Sequence, residues 1–141
     1  HMILGNPAKI TSTAVLTDKG VDAQTSMIFD YADGAQAVLN TTMIEQTPCR
    51  AVVAGLNGWL EIDRTFYNPA SMRVIMNDGV VTEYPKAYVG HGLREQAEVF
   101  KQLVTSGQLQ SQILNWQDTV DIMKTLDQVR SQIGLKYPFE L

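Results

Sequence analysis

The chain has 141 residues and a formal net charge of −4, a length that accommodates one domain and leaves no room for a two-domain enzyme. With 45% hydrophobic and 8% aromatic residues it can build an ordinary globular core, which excludes a disordered chain. The acidic balance, with a pI near 5.0 and no run of Lys and Arg, argues against nucleic acid or an anionic membrane as a partner. Cys49 is the single cysteine, so no intrachain disulfide can form and a reducing compartment is expected. Every apolar run is too short to span a bilayer and no secretory leader pattern opens the chain, which makes the cytoplasm the expected location. Charged residues reach only 18%, below the roughly 25% of an average domain, and that deficit suggests a surface covered in the working molecule.

His1-Met2 reads as a scar of expression, so the natural sequence is taken from Ile3 and the domain from 3 to 141. Ile3-Leu4-Gly5-Asn6-Pro7 reads either as the last turn of a helix stopped by Gly and Pro or as an ordinary frayed terminus. From Ile10 to Val81 short alternating segments are separated by turns, which predicts antiparallel strands over 9–17, 21–31, 35–44, 49–55, 58–63, 71–77 and 79–83. Lys19-Gly20, Asp33-Gly34, Asn57-Gly58 and Asp78-Gly79 supply the positive φ angles that tight hairpins require. In the second strand Val21, Ala23, Thr25, Met27, Phe29 and Tyr31 share an apolar face. The opposite face, carrying Asp22, Gln24, Ser26, Ile28 and Asp30 and continued by Gln36, Val38, Asn40 and Thr42 in the next strand, is polar and, apart from the two terminal aspartates, uncharged.

After Gly92 the period becomes helical, with Leu93, Ala97, Phe100 and Val104 along one stripe until Gly107. A second helix opens at Asn115, an N-cap with Asp118 three residues on, carries Trp116, Val120, Met123, Leu126, Val129 and Ile133 along its stripe, and stops at Gly134. Tyr137-Pro138 closes the chain as an extended tail. The expected architecture is α+β, a mostly antiparallel open sheet of six or seven strands with the C-terminal helices packed on one face.

Reactive groups are few. Beyond the scar His91 stands alone, and with Cys49 far away in sequence a tetrahedral metal site, which needs three or four ligands, is not expected. Cys49 follows Pro48 without a Cys-x-x-Cys partner and reads as buried and inert. No Gly-x-Ser-x-Gly elbow occurs, which excludes an α/β-hydrolase nucleophile. Glu95 and Glu98 read as a solvated helix flank beside Arg94 and Lys101. Gly90-His91-Gly92 before a helix has the look of a dinucleotide turn, but Glu95 stands where the third glycine belongs and the preceding segment is polar and interrupted by Pro85. What remains there is His91 and Arg94 at a helix start that favours an anion, or a loop whose glycines only turn the chain. Phe66-Tyr67-Asn68-Pro69 places two aromatics in a loop, where they wall a pocket or pack on a sheet edge.

Gly20-Val21-Asp22, Asp33-Gly34, Gly55-Leu56-Asn57-Gly58-Trp59-Leu60-Glu61-Ile62, Phe66-Tyr67-Asn68-Pro69, Gly107-Gln108-Leu109-Gln110-Ser111 and Arg130-Ser131-Gln132-Ile133-Gly134-Leu135-Lys136-Tyr137-Pro138, in that order and spacing, resemble the C-terminal domain of the Gfo/Idh/MocA oxidoreductases, in particular their dihydrodiol dehydrogenase-like branch. The resemblance runs from Ile3 to about Glu140. It implies a parent enzyme that uses NAD or NADP to oxidise or reduce sugars, polyols and related hydroxyl compounds. It also implies that the N-terminal Rossmann domain, with its glycine-rich turn and Glu-Lys-Pro lysine, is missing here. No catalytic residue and no cofactor-binding residue of the family maps onto this sequence. Retained would be a wall of the substrate pocket, with Phe66, Tyr67, His91 and Arg94 as candidates, and a sheet face that pairs with a second copy as a homodimer. One departure stands out: where the branch often has Tyr-Glu early in the first helix, this chain reads Glu95-Gln96.

The leading expectation is an isolated substrate and dimerisation domain, inactive alone, with a small molecule as substrate and no cofactor of its own. The alternatives are a self-contained binding or interaction module that uses its sheet face, and a small hydrolase or isomerase, which lacks a base paired with a nucleophile.

Overall fold

Seven strands and two helices follow one another along the chain: β1 (Lys9–Leu16), β2 (Asp22–Asp30), β3 (Gln36–Thr42), β4 (Ala51–Gly55), β5 (Gly58–Ile62), β6 (Met72–Met76), β7 (Val81–Tyr84), α1 (Leu93–Thr105) and α2 (Trp116–Ile133). These come from a computed structural model that describes residues 1–68, 71–86, 90–137 and 139. The α+β class is the expected one, and each strand lies within two residues of its expected bounds. The strands form two antiparallel sheets, β1-β2-β3 and β4-β5-β6-β7. Between them Pro48 has no N–H to give to a ladder and Cys49 takes the left-handed conformation, φ 55°, so pairing stops there. The chain divides into two units, His1–Gln46 with Gln110–Leu141 and Thr47–Leu109. The tail expected at Tyr137-Pro138 and the loop residue Pro69 involve positions outside the described residues.

In the first unit the β1–β2 and β2–β3 hairpins share one design. Gly20 donates to the Thr17 carbonyl at 2.9 Å while Thr17 donates to Val21 at 2.8 Å, and Gly34 and Tyr31 repeat the pattern at 3.0 Å with the glycine at φ 87°. This is a tight turn followed by one left-handed residue, a position glycine fills without strain. The hairpin register aligns Ser26 with Asn40 and Ile28 with Val38, and the Asn40 amide donates to the Ser26 hydroxyl at 2.9 Å. These residues lie on the polar face foreseen from the alternation. The opposite face holds the core: Ile10, Ala23 and Thr25 are buried, with Thr125, Val129 and Leu135 from the C-terminal segment.

Helix α2 starts with a complete capping box, Asn115 accepting from the Asp118 N–H at 2.9 Å and Asp118 from the Asn115 N–H at 2.9 Å, and ends on left-handed Gly134. It packs on β1 through Thr125 and Val129. Gln132 donates to the Ile10 carbonyl at 2.8 Å and accepts from the Ser12 N–H at 2.8 Å, so its amide takes the place of a strand partner along the outer edge of β1. Of the expected apolar stripe Val129 is buried on this face, whereas Trp116, Val120, Met123 and Leu126 stay exposed. At about 100° per residue they spread from about 60° (Leu126) to about 180° (Val120) round the helix from Val129. The contact joins Val129 of the stripe to the Gln132 hydrogen bonds with the edge strand.

In the second unit Asp78-Gly79 builds the β6–β7 turn in the same way as the first two. The β4–β5 hairpin is tighter. Gly55 faces Gly58, so the connection is Leu56-Asn57 and Gly58 opens β5. On one face of this sheet Glu61 accepts from the Trp59 indole at 2.9 Å and from Arg73 Nη2 at 2.6 Å. Helix α1 begins after left-handed Gly92, without a side-chain cap, and none of its residues is buried.

Candidate functional site

The β5–β6 loop and the segment after β7 leave the second sheet at the same end, since Ile62, Met72 and Tyr84 are register partners. The loop is closed at its base by Asp63 donating to Ser71 at 2.9 Å, and Phe66 donates to the Cys49 carbonyl at 3.1 Å, which ties the loop to the residues before β4. Within it Phe66 and Tyr67 meet edge to face, ring centres 5.6 Å apart at 80°, a favoured arrangement for two rings. Tyr67 is 75% exposed and Phe66 45%, so the pair presents ring surface outward.

The second segment is stitched to this loop. The Lys86 N–H donates to the Ser71 hydroxyl at 3.1 Å, and Lys86 Nζ reaches the Gly90 carbonyl at 2.8 Å. The Asn68 amide meets His91 Nδ1 at 2.7 Å. Three of the four candidate residues, Phe66, Tyr67 and His91, are thereby gathered around one loop pair. Arg94 is drawn elsewhere: its guanidinium pairs with Glu95 at 2.9 Å and lies 3.9 Å from Glu98. Asn68, Ser71 and Lys86 were not among the candidates. The only signal for Asn68 was a hydrogen-bonding residue between two aromatics and a proline, which is too common to single out. Cys49 is half-buried and its thiol takes no part in the loop contacts.

The helix start does not suit an anionic ligand. Glu95 holds its carboxyl below the usual range, first through its own backbone N–H and then through Arg94, so a carboxylate already sits where free N–H groups would meet a phosphate. The segment before it comes from β7, which is the edge strand of its sheet, whereas a dinucleotide turn follows a central parallel strand. These residues do not fit NAD or NADP. Glu61 is likewise spoken for: the Trp59 indole and then Arg73 keep it ionised below its ordinary range, and with both oxygens accepting it serves as a strut of the sheet. Among the described residues no three His, Cys, Asp or Glu side chains gather as a metal site. No described helix is long and apolar enough to cross a membrane. An open apolar hollow of about 370 Å³ between Val53, Leu56, Leu60 and Met76 lies at the hairpin end of the sheet, away from the stitched loops.

No family model matches the chain. It is 29% identical over 139 residues to trans-1,2-dihydrobenzene-1,2-diol dehydrogenase of Xenopus tropicalis, a match that takes in 94% of the chain and 42% of that protein. It is 25% identical over 137 residues to scyllo-inositol 2-dehydrogenase (NADP(+)) IolU of Bacillus subtilis, covering 97% of the chain and 41% of that enzyme. Nearly the whole chain is thus similar to a part of each of these two dehydrogenases. Its fold agrees with that of an aldose-aldose oxidoreductase from Caulobacter crescentus solved with glycerol, at a TM-score of 0.74 and 16% identity over 92% of the chain and 39% of the enzyme. The chain thus spans about two fifths of the length of the relatives it matches.

Proposed function

We propose that this chain forms the substrate-pocket wall and the dimerisation surface of a cytoplasmic NAD(P)-dependent oxidoreductase that acts on a sugar, a polyol or a related hydroxyl compound. The observation that carries this reading is the match of nearly the whole chain to the C-terminal part of two dehydrogenases of hydroxyl compounds. The Rossmann domain that would hold the dinucleotide belongs, in this reading, to a segment N-terminal to Ile3. Residues 3–141 then act as one functional domain, with Phe66, Tyr67 and His91 toward the substrate and Arg94 at the rim of the wall. The chain by itself performs no turnover, because Glu61 and Glu95 are engaged by their neighbours and His91 faces an amide, not a nucleophile.

The charge-poor face of the first sheet supports the dimer. Val15 and Val38 stand exposed on it beside the Ser26–Asn40 pair, the mixture of apolar and neutral polar groups found at the centre of protein interfaces. A fluorescence titration tests the division of labour: the chain is expected to leave NADH and NADPH fluorescence unchanged at micromolar concentrations. Saturable binding there would overturn the assignment of cofactor recognition to another domain.

A further inference from the structure

The contact between Asn68 and His91 joins two segments 23 residues apart, and its chemistry is one-sided. It is the amide nitrogen Nδ2 that lies 2.7 Å from ring atom Nδ1. With the amide placed NH2 toward the ring, Nδ1 accepts with its lone pair, and the ring proton of a neutral imidazole is then on Nε2. Among the described residues Nε2 has no hydrogen-bond partner, and the contact sits at the exposed surface beside the Phe66–Tyr67 pair. Asn68 is itself held, since its N–H donates to the Thr65 carbonyl at 2.8 Å. The loop thus fixes the Asn68 backbone from which the amide reaches the ring.

We propose that Asn68 is a positioning residue for His91, fixing its ring as the Nε2–H tautomer and so presenting a neutral hydrogen-bond donor to a ligand oxygen. This deepens the substrate-wall reading and rests on it for the identity of the ligand, though the tautomer itself does not. A neutral donor beside exposed ring faces matches an uncharged hydroxyl or carbonyl compound. A carboxylate or phosphate would look for a cation; Arg94 is paired with Glu95 and close to Glu98, and the Lys86 ammonium donates to the Gly90 carbonyl.

The test is long-range 15N–1H correlation of the uniformly labelled chain near pH 8, where imidazole is neutral, with His91 told apart from His1 by a His91→Ala variant. His91 should show a protonated Nε2 and an unprotonated Nδ1. In Asn68→Asp a carboxylate, which only accepts, replaces the donor. The tautomer ratio should then swing toward Nδ1–H by about five-fold or more, the factor that one hydrogen bond of ordinary net strength produces. One Asn68 side-chain amide proton should also move upfield in His91→Ala, a check that holds even if Asn68→Asp folds poorly. A dominant Nδ1–H form in the parent chain, or a folded Asn68→Asp with the parent ratio, would overturn the assignment. The spectra contain no substrate, so failure of the oxidoreductase reading would leave them unchanged, and a wrong tautomer would leave that reading standing.

Discussion

A methyl group on Gly58 would fall on the carbonyl oxygen of Ile75 and lie 2.9 Å from the Met76 Cα, both backbone atoms of the neighbouring strand that cannot step aside. Gly58→Ala is therefore expected to cost about 2 kcal/mol or more, read as a shift of the urea midpoint. Ala at Gly79, where a Cβ meets nothing within 4 Å, should cost only the positive φ. Glu61 makes a second residue-scale case. Its carboxyl is held low by the Trp59 indole and by Arg73, so the folded chain gives up this proton more readily than the unfolded one. The stability it contributes is complete above the unfolded carboxyl's pKa of about 4.3 and is lost as the pH falls through the lower, folded value. Glu61→Gln should accordingly flatten the loss of stability between about pH 5 and pH 3, measured by urea midpoints at stepped pH. At this scale the sequence showed Phe66 and Tyr67 as an aromatic pair in a loop. It could not show that His91 meets the same loop, because that proximity depends on the register of β5, β6 and β7.

Helix α2 shows what is legible in an element and what is not. Its start could be read directly, since Asn115 and Asp118 stand at capping-box spacing and make both reciprocal hydrogen bonds. Asn115→Ala should lower stability by about 1 kcal/mol, with a matching loss of helical circular dichroism on heating. Its packed face could be read only in part. Hydrophobic periodicity picks out Val129, which is buried, but also Trp116, Val120, Met123 and Leu126, which are exposed, and it gives no sign of Thr125, also buried, or of Gln132, whose amide bonds to β1. Periodicity reports where apolar side chains lie around a helix and carries no information about hydrogen bonds offered by a neighbouring strand. The strands were easier. Three of the four turns have glycine in the left-handed position that follows a tight turn, at Gly20, Gly34 and Gly79, and this fixes a hairpin within a residue or two. At the turn with two glycines the strand ends at Gly55 and Gly58 were as expected, but the turn pair is Leu56-Asn57 and not Asn57-Gly58.

For the whole molecule, seven strands and two helices in α+β order could be read from alternation and period. Their division into two sheets could not, because the interruption comes from the backbone of Pro48 and Cys49 and has no effect on hydrophobic pattern. The proposed dimer belongs to this scale. Light scattering at high micromolar concentration should give twice the 15.7 kDa chain mass, and Val38→Lys, placing a charge on a residue 75% exposed, should return the monomer with the fold intact. A monomer in the parent chain at that concentration would remove the face from consideration. A chain that offers one sheet surface to a twin faces a hazard at the rims of that same sheet, where unpaired backbone groups recruit further copies without limit. The Gln132 amide, lying against Ile10 and Ser12, blunts one of those rims with a single side chain. In the proposed dimer, that capped rim is one edge to which a further copy cannot add a strand.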